Sequence, residues 1–116
     1  MSRLDVSEAA LERFLAEDDS AAVVLVNLVR LRPDGADAYR EYGELVAPLL
    51  AGVGAELVYA GEARGTLIGD EKWDLAAVVR YPNRMALARL VRDPAFVALA
   101  PLRHAALEAG ILHAFT

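Results

Sequence analysis

The stretch GDEKWDLAAVVRYPNR, residues 69–84, decides the fold of this 116-residue chain. It opens with a charged turn and continues as an apolar run from Trp73 to Tyr81. The run ends at Pro82, which cannot continue a central strand. Asn83 then supplies a side chain that commonly caps the first turn of a helix. The stretch therefore predicts a turn, a strand and the start of a helix, in that order.

Side chains alternate along this predicted strand and so divide into two faces. One face carries Asp74, Ala76, Val78 and Arg80. The other carries Trp73, Leu75, Ala77, Val79 and Tyr81. The second face is large and apolar, so we expect it to pack against helices. The first face is small and charged at its ends, which is typical of a strand that lines a cavity.

The sequence on either side predicts further elements of both kinds. Apolar residues at helical spacing predict helices over residues 7–17, 37–50, 84–91 and 94–109. Ser7, Asn83 and Asp93 are the expected N-caps of the first, third and fourth of these helices. Apolar and β-branched runs predict strands over residues 21–31, 55–68, 73–81 and 111–115. After the first helix the order is β-α-β-β-α-β, which predicts an α+β, ferredoxin-like antiparallel sheet with helices on one face. We expect an N-terminal helical extension over residues 1–20 and a ferredoxin-like domain over residues 21–116.

Composition excludes several classes of protein. The formal charge of −5 argues against a nucleic-acid partner, because phosphate binding needs clustered lysine and arginine. The chain has no cysteine, which excludes disulfides and sulfur-ligated metals. It also has no apolar run long enough to span a bilayer. We therefore expect a cytoplasmic protein with no membrane partner.

The predicted sheet has a second face that its own helices leave uncovered. Such an apolar face would aggregate or pair with another copy. We therefore expect a homodimer whose two sheets close over each other, with the ligand pocket in the space between them.

Five short motifs occur in order: NLVRL at 27–31, WD at 73–74, YPNR at 81–84, DPAF at 93–96 and LRHAALE at 102–108. Together they resemble an uncharacterised family, a domain of unknown function, within the dimeric α+β barrel superfamily. The resemblance implies a ferredoxin-like protomer and a homodimer, and it implies no established reaction. Asn27, Arg30, Trp73, Asp74 and Arg103 match the family's recurring polar and aromatic positions. His104 and Ala109 depart from the family pattern.

Several of these side chains are candidates for binding a small molecule. Arg103 lies on the apolar stripe of its predicted helix, so it needs a partner such as Asp74, Glu108 or an anionic ligand. Asn27 interrupts an apolar strand and would bind either a neighbouring loop or a substrate carbonyl. Tyr42 would place its hydroxyl at the rim of the core. Trp73 would be either a lid on the cavity mouth or a plug in the core. The binding candidates are Asn27, Arg30, Tyr42, Trp73, Arg80 and Arg103.

Two functional hypotheses remain open. In the first, Asn27, Asp74, Arg80 and Arg103 converge within the expected dimer. The protein then binds a small carbonyl- or carboxylate-bearing molecule, and Asp74 or His104 moves a proton in cofactor-independent or oxygenase-type chemistry. In the second, it is a non-catalytic structural or regulatory homodimer. Asp74 and His104 are thus the catalytic candidates. No metal site is predicted, since the two histidines have no H-E-x-x-H context, and no cofactor is predicted because no phosphate loop or dinucleotide fingerprint occurs.

Overall fold

The computed structural model describes residues 4–17 and 19–116. It contains one antiparallel sheet with helices on one face. The strands are β1 (Val23–Leu31), β2 (Glu56–Glu62), β3 (Leu75–Tyr81) and β4 (Leu107–Phe115). The helices are α1 (Glu8–Ala16), α2 (Ala36–Gly52), α3 (Arg84–Arg92), α4 (Pro94–Val97) and α5 (Ala100–Ala106). The strand order in the sheet is β2-β3-β1-β4. The prediction of an α+β, ferredoxin-like fold is confirmed.

Side-chain caps begin the helices where the sequence predicts them. Ser7 Oγ accepts a hydrogen bond from the Ala10 backbone N–H at 3.1 Å and so starts α1. Asn83 Oδ1 accepts from the Ala86 N–H at 2.9 Å, and Asp93 Oδ1 accepts from the Ala95 N–H at 2.8 Å. Each cap satisfies a backbone donor that the first turn leaves without a partner.

The strand predicted over residues 55–68 is too long. In the structure β2 ends at Glu62, and the segment that follows it forms no helix or strand. Gly65 and Gly69 adopt positive φ angles of 148° and 100°, which break the extended path. Leu67 and Ile68 look like strand residues in the sequence, yet they are 98% and 96% exposed.

The last helix and strand also have different bounds from those predicted. The helix predicted over residues 94–109 divides into α4 and α5, and it ends at Ala106 rather than at Gly110. Strand β4 begins at Leu107, not at Ile111, and continues through Gly110. Gly110 lies beside Val29 in the register, because β4 pairs with β1 along most of its length.

The hydrophobic core lies between the sheet and the helices. Leu11 of α1 is 1% exposed and packs in one cluster with residues of β1, β3 and α3. A smaller cluster holds Val29, Ala106 and Leu107. The predicted boundary between an extension at 1–20 and a domain at 21–116 stays a prediction, and residues 1–3 and 18 lie outside the described residues.

The two faces of the sheet follow from strand register. In β3, Ala77, Val79 and Tyr81 face the helices, as predicted. Strand β2 contains an irregularity: Leu57 pairs with Val79, but Tyr59 pairs with Val78. Val58 is therefore a bulge, and beyond it the side chains exchange faces.

The bulge changes which side chains of β2 share a face. Strict alternation would place Glu56, Val58, Ala60 and Glu62 together on one face. Beyond the bulge, Ala60 pairs with Ala77 and Glu62 pairs with Leu75, so both lie on the helix side.

Within the described residues, no helix is both long and apolar enough to cross a membrane.

Candidate functional site

A cavity of about 970 Å³ lies between the sheet and the helices. Protein interiors are normally close-packed and leave few voids larger than a water molecule. The walls are mostly aliphatic and include Leu11, Leu25, Val46, Leu50, Val79 and Leu87. The cavity opens to solvent between α2 and β2, where the lining residues Ala47, Ala51, Leu57 and Ala60 are exposed.

A smaller recess of about 290 Å³ adjoins this cavity. The two spaces share Asn27, Tyr39, Ala60 and Ala77 as lining residues. Glu62 lines the outer part of the recess. Asn27 and Tyr39 therefore lie where the two spaces meet, which makes them accessible from both.

Asn27, Tyr39 and Tyr42 form a group of neutral polar side chains in the cavity wall, which Ser7 and Tyr81 also line. Asn27 lies in the middle of β1, and the tyrosines lie three residues apart on α2, so their rings stack with centroids 5.8 Å apart. Burial raises the pKa of Tyr39, and Tyr42 adds to the rise. A hydrogen bond with Asn27 and the charge of Arg103 act in the opposite direction.

Arg103 and Asp5 form an ion pair at the edge of this polar wall. Arg103 Nη2 donates to Asp5 Oδ1, and Arg103 Nη1 donates to the Tyr42 hydroxyl oxygen at 3.2 Å. His104 Nε2 lies 2.9 Å from the same Asp5 oxygen. The predicted partners of Arg103 were Asp74 and Glu108, and both are wrong. The sequence offered no local signal for Asp5, which precedes α1 and reaches α5 only through the fold.

The guanidinium of Arg103 is enclosed by aromatic rings. Its central carbon lies 5.6 Å from the Tyr42 ring centroid and 5.5 Å from that of Phe96. Its Nε is buried without a hydrogen-bond partner among the described residues. Arg84 shows the same combination over Phe14, at 4.6 Å. Because aromatic faces attract cations, the rings compensate in part for the missing acceptors.

Asp74 holds the end of the sheet together. Its carboxylate Oδ2 accepts a hydrogen bond from the Leu31 N–H at 2.7 Å, and its own N–H donates to the Val29 carbonyl at 2.8 Å. Asp74 precedes β3 and does not line the cavity. The catalytic role suggested for it stays a prediction, and its observed contacts are with backbone atoms.

Arg30 and Trp73 contact each other at the same end of the sheet. The Arg30 guanidinium lies 5.4 Å from the centroid of the Trp73 ring, and its Nε donates to Glu108 Oε1 at 3.2 Å. Trp73 is half-buried, precedes β3 and packs in neither core cluster. Of the two alternatives for Trp73, a lid or a core plug, the core plug is therefore wrong.

The predicted convergence of Asn27, Asp74, Arg80 and Arg103 on one surface is also wrong. Arg80 is exposed on the face away from the helices, where it pairs with Val24 and Glu56. Asn27 and Arg103 line the cavity on the other face. Of the predicted site residues, the structure places Asn27, Tyr42 and Arg103 in the cavity wall. His104 does not line the cavity, but it contacts Asp5, which does.

The described chain contains no group of three or more histidine, aspartate or glutamate side chains arranged to hold a metal ion. Asp5 and His104 are close together, but two ligands are fewer than a protein metal site normally supplies.

Comparison with protein families gives a match over residues 27–114 to the domain of unknown function DUF1330. The chain belongs to the DUF1330 family. The matched segment begins at Asn27 of the cavity wall and ends at residue 114, so it contains the whole sheet apart from the start of β1 and the last residue of β4. The resemblance inferred from the five motifs is thereby confirmed.

Solved structures support the same assignment. This DUF1330 chain is 31% identical to the RPA0582 protein of unknown function from Rhodopseudomonas palustris, with a TM-score of 0.88. That match covers 99% of this chain and 96% of the other. A comparison with curated proteins found no similar sequence.

More distant structures share the fold alone. A dimeric ferredoxin-like protein of unknown function from Bacteroides fragilis NCTC 9343 is 17% identical, with a TM-score of 0.60, over 81% of this chain and 94% of the other. A dimeric ferredoxin-like protein of unknown function from Thermobifida fusca YX is 14% identical, with a TM-score of 0.59, over 84% of this chain and 92% of the other.

Proposed function

We propose that the cavity between the sheet and the helices binds a small, largely apolar molecule that carries a carbonyl or carboxylate group. The sequence predicted a ligand pocket between two sheets. The cavity that a single chain contains lies on the opposite face of the sheet, so the proposed site is complete within one protomer. The size and lining of this cavity are the observation that carries the proposal.

The size of the cavity supports ligand binding. Small-molecule sites usually have volumes of about 300–1,000 Å³, mostly apolar walls and a few placed polar groups. The cavity of about 970 Å³ has these properties, since aliphatic side chains surround Asn27, Tyr39 and Tyr42. The aliphatic walls of this cavity offer apolar surface that a bound apolar molecule would remove from water.

The polar wall supports a ligand with at least one oxygen. Asn27 is half-buried and can both donate and accept, while each tyrosine hydroxyl can donate one proton. These groups lie together at the junction of the cavity and the recess. A carbonyl oxygen held there would fix the orientation of the molecule, and its apolar body would extend along the aliphatic walls.

We further propose that the protein is a homodimer formed through the open face of the sheet. Alternate residues of β1 and β3 on that face are apolar: Val24, Val26, Leu28, Ala76 and Val78. An apolar sheet face without helices needs a cover. The similar structures from Bacteroides fragilis and Thermobifida fusca are described as dimeric.

One observation favours a second candidate function, a non-catalytic structural or regulatory homodimer. Arg103 bonds to Asp5, Arg30 bonds to Glu108, and Asp74 bonds to the Leu31 backbone. Polar groups that hydrogen-bond to one another in this way connect segments of the chain. They leave few donors and acceptors for a substrate. This candidate function predicts a cavity that binds no small molecule.

Catalysis is a separate question from binding. Neither Asp74 nor His104 lines the cavity, whereas Asp5 does. Proton transfer by Asp74 or His104, and oxygenase-type chemistry, thus stay predictions from the sequence. The proposed function is binding, with no turnover attached.

Calorimetric titration of the purified protein tests this proposal. The probes are decanoate, naphthoate and the methyl esters of both, which together offer aliphatic and aromatic bodies with charged and neutral head groups. We expect at least one probe to bind with one site per protomer. The variant Ala77→Phe should abolish this binding, because Ala77 lines both the cavity and the recess.

The matched control is Ala105→Phe, which places the same side chain at an exposed helix position outside the cavity. It should bind the probe as the unaltered protein does. Equal loss of binding in both variants, or binding that Ala77→Phe retains, would contradict the proposed location. Absence of binding for all probes would favour the structural homodimer.

A further inference from the structure

We infer that the cavity selects a neutral carbonyl compound, such as a ketone, ester or lactone, over a carboxylate. This inference rests on the proposed function and chooses between the two head groups that it allows. It follows from the charges, hydrogen bonds and enclosure of the side chains that line the cavity.

The charges on the cavity wall already cancel. Among the described residues, Asp5 and Arg103 are the charged side chains that line the cavity, and they bond to each other. Glu62 lines the adjoining recess and is 69% exposed, with Arg64 3.8 Å away. With histidine counted as neutral, the wall therefore offers no net positive charge to a carboxylate.

Arg103 is also largely enclosed. Nη1 donates to Tyr42, Nη2 donates to Asp5, and Nε is buried. The whole side chain is 11% exposed and lies between the Tyr42 and Phe96 rings. A ligand carboxylate that bound the guanidinium would compete with Asp5 for the same positive charge.

The accessible polar groups are neutral. The Tyr42 oxygen accepts from Arg103, which leaves the hydroxyl proton of Tyr42 for an outside acceptor. Tyr39 and Asn27 line both the cavity and the recess. Burial holds the pKa of Tyr39 above its ordinary value, so this hydroxyl keeps its proton. Neutral donors of this kind satisfy a carbonyl oxygen.

Solvation makes the difference in affinity between a neutral carbonyl compound and a carboxylate large. A carboxylate that leaves water loses a strong hydration shell, and without a charged partner neutral donors do not repay that cost. An ester or ketone loses far less hydration and keeps a good acceptor oxygen. The acyl body is the same in an acid and its methyl ester, so the difference in affinity comes from the head group.

The first test compares methyl decanoate with decanoate, and methyl naphthoate with naphthoate, by calorimetric titration of the unaltered protein. We expect each ester to bind about tenfold more tightly than its acid, or more. Equal binding, or tighter binding of the acids, would overturn this inference while the proposed function stands. Binding of no probe at all would overturn the proposed function, and the inference with it.

A charge-altering variant tests the physical cause. Asp5→Asn removes the counter-charge of Arg103, so decanoate should bind about tenfold more tightly than before, whereas methyl decanoate should change little. A variant that leaves decanoate binding unchanged would contradict the role assigned to Asp5.

Glu62→Gln provides a second route if Asp5→Asn does not fold. Glu62 is exposed, so this variant should fold, and decanoate should gain about threefold in affinity with the ester unaffected. Glu56→Gln is the matched control, because it makes the same charge change on the same strand at a position outside both the cavity and the recess. An equal gain in both variants would attribute the effect to net charge and refute a local one.

Discussion

The two faces of the same sheet have opposite polarity patterns. On the helix side, an aliphatic cavity surrounds the neutral groups Asn27, Tyr39 and Tyr42, and the charges of Asp5 and Arg103 in its wall pair with each other. On the open side, the apolar residues lie in the middle and Arg30 and Arg80 lie toward the strand ends. A polar centre with an apolar rim favours a small ligand, whereas an apolar centre with a charged rim favours a second protein surface.

The largest expected effect comes from a charge in the middle of the open face. We predict that Val78→Asp converts the proposed homodimer to a monomer, because an aspartate there would be buried without a partner. Size-exclusion chromatography with light scattering measures the mass, and circular dichroism checks the fold. The control Ala60→Asp lies on the cavity side of the sheet and should leave the dimer intact. A folded Val78→Asp dimer would refute an interface on this face.

The next effect concerns the ion pair on the helix side. We predict that Arg103→Ala lowers the free energy of unfolding by about 3 kcal/mol, because Asp5 loses its guanidinium partner and the space between Tyr42 and Phe96 is emptied. Urea denaturation measures the loss. Arg80→Ala on the open face is exposed and should cost about 0.5 kcal/mol or less in the protomer. Similar losses for both variants would remove the contrast between the faces.

High pH should lower the free energy of unfolding through buried tyrosines on the helix side of the sheet. Tyr81 is 4% exposed, and burial raises its pKa above the ordinary value, as it does for Tyr39. The unfolded tyrosine then loses its proton first, so stability is constant with respect to this group below about pH 10 and falls above it. Denaturation midpoints across this range measure the slope. Tyr81→Phe should make the slope shallower, and an unchanged slope would contradict the assignment.

The smallest effect on stability is expected for residues that lie on neither face of the sheet. Leu67 and Ile68 lie in the segment between β2 and β3 and are almost fully exposed. We predict that Leu67→Ser with Ile68→Ser changes the free energy of unfolding by less than about 0.5 kcal/mol. A larger loss in the dimer at urea denaturation would extend the interface beyond the open face to this segment.

The order of elements could be predicted because its signals are local. Ser7, Asn83 and Asp93 each cap a helix where the sequence indicates, since a cap needs only residues within one turn. The same local rule misled at Leu67 and Ile68, whose apolar side chains lie in no strand.

The site could be predicted only in part because its contacts are not local. Asn27, Tyr42 and Arg103 were identified from a polar or aromatic residue on an apolar element, and all line the cavity. Asp5 was missed, since it meets Arg103 across 98 residues of chain. The bulge at Val58 was missed because no glycine or proline marks it, and it moves every later side chain of β2 to the other face.

The most direct test of the central contrast is methyl-resolved NMR of the protein titrated with methyl decanoate. Ala76 and Ala77 are adjacent on β3 and point to opposite faces, and only Ala77 lines the large cavity. A ligand between the sheet and the helices should shift the methyl resonances of Ala77 and Ala60 and leave that of Val78 unchanged. Shifts at Val78 with none at Ala77 would place the ligand on the open face and contradict the account.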